Sequence, residues 1–579
     1  MKLTSIYGLT ALLGTITIIT ACDKQSNQQS DLSINPIVDS STAVQQQEQE
    51  VPVPQKPNIT IEKESHVIET TTKHASHSLS QDLSMSKMAI SQVMSRPRMM
   101  PTNDQFMLQQ QGQDTYLKNT SNGVFQVINT PLSTFSIDVD TGSYANIRSY
   151  LNMGQTPPVD AIREEAFINY FDYDYLPPDN KNQPFSINSE VAPSPWNEKR
   201  QLLRIGLQGY DIPNSSRQAS NLVFLIDVSG SMNQPNKLPL LLRSLSTLVN
   251  ELNDNDSVSL VTYAGQSQVI LKPTAGSEKQ TIINALKNLS AGGSTYGESG
   301  INLAYQQAQS NFIENGINRI ILATDGDFNV GTTNIDSLKQ LVATKREQGI
   351  SLSTLGFGRG NYNDAMMEQL ANIGDGNHAY IDTLHEAKKV LVRQMSGTLQ
   401  TIASDVKIQI EFNPQLVKEY RLIGYQNRLL KDEDFNNDKV DAGEIGAGHT
   451  VTALYELTLT GETGQIDNLR YTEKNTVETG FIDELAQIKV RYKLPRTSVS
   501  TLTTQVIKAS QMKTHFDQAS RDFQFSSAVA AFAQKIKNNQ YIDHLSYEEI
   551  ADIARENRGK DPYNYRGEFI NLVEIAQTL

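Results

Sequence analysis

Between residues 219 and 402, short apolar runs alternate with amphipathic stretches, and no other feature of the chain restricts its fold so tightly. Residues 222–227, 257–264, 268–272, 319–324, 351–357 and 378–381 read as strands. Between them, 237–252, 278–289, 297–313, 334–348, 363–372 and 384–402 read as helices. Apolar strands alternating with amphipathic helices predict an α/β fold, a Rossmann-like, doubly wound and mostly parallel sheet. Ligands of such sheets sit outside the carboxyl ends of the strands, which directs attention to the loops there.

The flanks have a different texture. Residues 132–140 and 200–208 read as strands, with a short helix at 143–153 between them. Past 403, strand-like runs fall at 405–412, 419–425, 449–459 and 484–494, and from 500 onward the chain reads as mainly helical. A length of 579 residues allows two to four globular units. The expected plan is a β-rich flank at 114–215, the α/β domain at 219–402, a second β-rich region at 403–500 and a helical region at 501–579. Strands before and after the α/β unit are expected to pair with each other, making that unit an insertion.

The first hundred residues stand apart. Residues 1–21 combine basic Lys2 with an apolar run that is short for a spanning helix and ends in small residues, as a signal peptide does. Cys22 is the chain's single cysteine, which excludes an internal disulfide framework. Ile19-Thr20-Ala21-Cys22 resembles a bacterial lipobox, which implies lipidation of Cys22 and an anchored rather than spanning protein in the cell envelope, facing the periplasm. Asp23 resembles an inner-membrane retention signal of enteric-type sorting. Residues 22–100 are rich in Gln, Ser, Thr and Pro and lack an apolar period, so they read as a disordered tether. Random-coil scaling gives it a reach of about 50 Å. A net charge of −14 argues against nucleic acid or an anionic membrane surface as partner.

Three loops at the predicted carboxyl edge carry oxygen donors. The first strand ends in Asp227-Val228-Ser229-Gly230-Ser231, a Gly-rich turn reads Gly292-Gly293-Ser294-Thr295, and another strand ends in Thr324-Asp325-Gly326. Carboxylates and hydroxyls without His or Cys suit Mg²⁺, with Mn²⁺ or Ca²⁺ as alternatives, rather than Zn²⁺. Asp227-x-Ser229-x-Ser231, Thr295 and Asp325 closely resemble the metal-ion-dependent adhesion site of von Willebrand factor A domains. That resemblance implies hydroxyl ligation by Ser229, Ser231 and Thr295, with Asp227 and Asp325 acting largely through water. It also implies that the ion attracts an Asp or Glu carboxylate of a protein partner. Residues 131–175, Pro193-Ser194-Pro195-Trp196, 434–449 and 561–576 resemble the flanks of one group of bacterial lipoproteins with this domain.

Two other motifs compete. Ile137-Asp138-Val139-Asp140-Thr141 resembles the first motif of haloacid-dehalogenase-type phosphatases, where one Asp is nucleophile and the second acid/base. Its bland counterpart is a strand-to-helix turn in which Asp140 or Ser143 caps the helix. The acidic stretch from Asp432 to Glu444 departs from the EF-hand pattern, leaving irregular calcium binding or a solvated turn. No P-loop, HExxH or CxxC occurs. The expectation is a non-enzymatic, envelope-anchored protein that binds a partner through a divalent cation and needs no small-molecule substrate. The alternatives are a scaffold whose metal only stabilises, and a Mg²⁺-dependent phosphatase.

Overall fold

The computed structural model describes residues 114–180, 182–294, 297–326, 335–467, 480–542 and 544–579. Signal peptide, tether and Cys22 lie outside the described residues. Among the described residues, no helix is long and apolar enough to cross a membrane.

The strands there form three sheets. Ahead of the α/β unit come β1 (Phe125–Gln126), β2 (Leu132–Ser136), β3 (Phe185–Ser194) and β4 (Asn197–Gly209). The unit holds β5 (Ser220–Asp227), β6 (Ser257–Tyr263), β7 (Ser267–Ala275), β8 (Ile317–Thr324), β9 (Ser351–Phe357) and β10 (His378–Ile381). After it follow β11 (Thr401–Phe412), β12 (Val417–Ile423), β13 (Gly443–Gly446), β14 (Thr450–Leu459), β15 (Glu484–Lys493) and β16 (Thr501–Lys508).

The central sheet runs β10-β9-β8-β5-β6-β7 and is parallel except where β7 returns antiparallel to β6. β5 is buried along its whole length, as a middle strand covered by helices on both faces must be. Its residues alternate between two layers. Leu222, Phe224 and Ile226 join Leu241, Leu245 and Leu248 of helix Leu238–Asn250. Val223 and Leu225 join Ile301, Ala304 and Ala308 of helix Gly297–Ser310. Burying each large apolar side chain contributes about 1.5–3 kcal/mol. The register that puts Asp227 at the strand's end is therefore held by the whole run.

The flanks close on each other. β4 pairs with β14, setting Leu207 opposite Val451, and β2 pairs with β11, setting Phe135 opposite Ile408. One flank sheet runs β1-β12-β14-β4-β3; the other runs β13-β11-β15-β16, with β2 also on β11. Both line a single core that includes Phe135, Leu203, Ile205, Ile408, Val451 and Ile488. The α/β unit is inserted between Gly209 and Thr401 of this β body.

One expectation needs correcting. Residues 501–508, assigned to the helical region, form β16 on the edge beside β15. Its three threonines with Val506 and Ile507 favour a strand, but much of it is exposed, so it shows no apolar run. The flank at 114–215 carries the expected short helix and a second one besides. Its helices Gly142–Asn152 and Glu164–Ile168 pack with the C-terminal helices Arg521–Ile536, Tyr547–Glu556 and Tyr565–Gln577. That core includes Tyr144, Phe171, Phe525, Phe532 and Phe569. Ser546 and Glu549 close a capping box at the start of the second C-terminal helix, fixing where it begins.

Candidate metal centre

β5 and β8 are neighbours and end together, so their terminal residues meet at the carboxyl edge of the central sheet. Asp227 is fully buried. Its Oδ1 accepts the Ser229 backbone N–H at 2.8 Å, which turns the chain back over the strand end. Its Oδ2 accepts the Thr324 hydroxyl at 2.9 Å, tying β5 to β8. The Ser229 and Ser231 hydroxyls lie 3.0 Å apart. The Gly-rich turn is stitched to this loop by two backbone bonds, Gly230 N–H to Gly293 at 3.0 Å and Gly292 N–H to Val228 at 2.7 Å. Thr295 lies outside the described residues, although Ser294 just before it is described.

Asp325 is also fully buried. One oxygen, Oδ2, accepts the Lys237 ammonium at 2.8 Å. The other, Oδ1, is buried and has no hydrogen-bond donor among the described residues. Gly326 follows with φ +99°, a left-handed conformation that suits glycine. A Cβ there would also overlap the backbone of Tyr362 and Asn363.

Burial pushes the Asp227 carboxyl up to about 6, with the Asp325 charge adding to the rise and hydrogen bonds from Ser229 opposing it. Two carboxylates face one ammonium, so the site carries an excess negative charge. An orphaned carboxylate oxygen after β8 and two close hydroxyls after the neighbouring β5 make a hard-oxygen set that fits a divalent cation. Ser229, Ser231 and Asp325 could hold one, while Asp227 braces the loop from behind.

Sequence reasoning missed Lys237 and Thr324. A signal for the lysine exists in retrospect: it opens a helix, where a positive charge opposes the helix dipole. A cation kept in that position needs an anionic partner.

The phosphatase-like motif has another role. Asp138 accepts the Asp140 N–H at 2.9 Å and Arg428 Nε at 3.0 Å. Asp140 accepts the His378 backbone N–H at 2.8 Å, joining the flank to β10. Burial, then the Asp138 charge, pushes Asp140 up to about 7. The pair is thus part of a junction between the β body and the α/β unit. Neither Asp140 nor Ser143 caps the helix; Ser143 donates to the Ala161 carbonyl instead.

Part of the acidic stretch is held by the chain's own cations. Lys407 donates to the carbonyls of Asp434 and Asn437, and Lys493 to that of Asp438 and to Asp405. These carbonyls are taken by ammonium groups, whereas Asp441 and Glu444 at the end of the stretch lie with Asp375 close enough for one oxygen of each to share a cation.

Comparison with known proteins gives three family matches. A profile described as von Willebrand factor type A domain matches residues 221–394. One described as von Willebrand factor matches 110–204. One described as uncharacterized protein YfbK, C-terminal, matches 397–579. The Escherichia coli protein YfbK is 48% identical over 472 residues, spanning 80% of this chain and 81% of its own length. Human inter-alpha-trypsin inhibitor heavy chain H3 is 24% identical over 262 residues, 41% of this chain and 28% of that protein. A solved von Willebrand factor type A structure from Catenulispora acidiphila aligns at 13% identity and TM-score 0.38, covering 68% of this chain and 91% of that one.

Proposed function

Because the chain belongs to the YfbK family of proteins built around a von Willebrand factor type A domain, we propose that it is a metal-dependent protein-binding protein of the bacterial cell envelope. The observation that carries the reading is the buried Oδ1 of Asp325, without a donor among the described residues, at the sheet edge that also carries the Ser229–Ser231 hydroxyl pair. Ser229, Ser231, Thr295 and Asp325 would hold a divalent cation, with Mg²⁺ the expected ion. Bound there, the cation would supply an incompletely neutralised positive charge to which an Asp or Glu of a partner can attach. The chain's own part is to fix three loops at one sheet edge. β5 and β8 do this through Asp227, and the Gly292-Gly293 turn does it through its backbone bonds.

The alternative of a purely stabilising metal finds less support, because the Lys237–Asp325 ion pair already ties the loop after β5 to the end of β8. The reading is non-enzymatic: the aspartates of the one phosphatase-like motif are engaged by Arg428 and by backbone N–H groups. Anchoring belongs to the same proposal, with Cys22 lipidated and the tether letting the folded part search for its partner. Labelling with a palmitate analogue should mark the protein and fail with Cys22→Ser.

The decisive test uses the protein as bait against solubilised envelope in Mg²⁺, in chelator, and as Asp325→Ala in Mg²⁺. Partners retained only in the first arm support the reading. The same partners in all three arms would exclude the metal edge as the contact surface.

A further inference from the structure

We propose that Lys237 is a resident cation of the metal edge, placed to hold the loops together without metal and to keep intrinsic affinity for a divalent ion low. This deepens the proposed function and rests on it. Three observations converge on the lysine. Its ammonium lies 2.8 Å from Asp325 Oδ2, with both side chains almost completely buried. Its aliphatic stem lies against Gly358, where φ is +70° and any Cβ would overlap the lysine's Cγ and Cε. Its backbone is the unusual turn, φ −115° and ψ −113°, from which helix Leu238–Asn250 starts. The loop after β9 therefore makes room for the side chain, and the helix start aims it.

The geometry divides Asp325 in two. Oδ2 is satisfied by the lysine, while Oδ1 is left for something else. An ion on Oδ1 would sit one carboxylate away from the ammonium. Repulsion between a double and a single positive charge at that separation lowers affinity about tenfold even with bulk-water screening, and more in a drier site. A partner carboxylate is attracted by both cations, so it adds what the bare site lacks. The site is thereby built to hold its ion firmly once the partner has arrived.

The test is calorimetric titration of Mg²⁺ and of Mn²⁺ into the metal-free full chain and into Lys237→Gln and Lys237→Met. Glutamine keeps a polar amide on a similar stem without the charge, so it reports on charge if the methionine variant folds poorly. Circular dichroism checks the fold of each. Binding at least about tenfold tighter than wild type in Lys237→Gln is the expected result. Lys237→Met should agree and should also melt lower than wild type without metal. Equal or weaker binding in Lys237→Gln would overturn the proposal while leaving the metal reading intact. No cation binding by wild type or either variant would overturn both.

Discussion

Replacing Arg148 by Met should show how firmly the α/β unit is fixed in its flanks. The Arg148 side chain is fully buried, and its guanidinium binds Asp382 through Nε and Nη2 at 2.8 and 2.6 Å. It also reaches Glu386 at 2.8 Å, Glu568 at 2.9 Å and the Tyr170 hydroxyl at 2.8 Å. One side chain thus links the N-terminal flank, the segment after β10 and the last helix. Asp382 and Glu386 are nearly inaccessible, so losing the arginine strands two carboxylates in the interior. Breaking a buried pair this way costs about 3–5 kcal/mol. With a urea slope of about 3 kcal/mol per molar for a large unit, the midpoint should fall by roughly 1–1.7 M. Trp196, the chain's single tryptophan, lies in the core that Arg148's helix helps to build and reports the transition by fluorescence. Arg148→Lys keeps the charge but not the fork and should lose less. Burial pushes the Glu386 carboxyl up, and the Arg148 and Lys389 charges more than reverse it, leaving it below its ordinary value. In wild type its contribution is therefore present above the unfolded carboxylate range and lost as pH falls. Without Arg148 burial prevails, the folded value rises, and the deficit should shrink between pH 8 and pH 5 as protons bind. A loss below about 1 kcal/mol, or one indifferent to pH, would refute the reasoning.

Two further outcomes are expected. Gly326→Ala should lose about 2 kcal/mol or more, because φ +99° and overlap with Tyr362 and Asn363 both oppose a Cβ; an unchanged thermal midpoint would contradict this. Glu444 is pushed well above its ordinary value by burial and then by the charges of Asp375, Asp441 and Asp405, while Asp375 itself is pushed up to about 7. Carboxylates raised in the fold bind more protons folded than unfolded, so their contribution declines as pH rises from about 4 through about 7. Glu444→Gln should therefore gain stability relative to wild type from pH 5 to pH 8, and parallel melting curves over that range would sink the assignment.

The α/β unit was legible because its strands are uninterrupted apolar runs and its helices carry one apolar face, as in β5 and helix Leu238–Asn250. Asp227, Ser229, Ser231 and Asp325 could be named because three fall in one short motif and the fourth ends a strand. Lys237 could not: its meaning comes from a carboxylate 88 positions away. Asp138 and Asp140 looked catalytic for the same reason, since the arginine that claims Asp138 lies 290 positions downstream. Edge strand β16 hid because a mostly exposed strand has little need of apolar residues.

The insertion also imposes an order on how the protein is made. When β3 and β4 emerge from the ribosome, they form a hairpin whose inner residues, Leu203, Ile205 and Leu207 among them, have no sheet to join. The strand that covers them is β14, with Val451 opposite Leu207. At about 5–20 residues per second, the intervening stretch of about 240 residues keeps that edge waiting roughly 10–50 s. The strands of the α/β unit pair only with one another, and all of them have been made before β14. The last part synthesised finishes the first, so a chain cut short before β14 would carry its α/β unit on an open, adhesive hairpin.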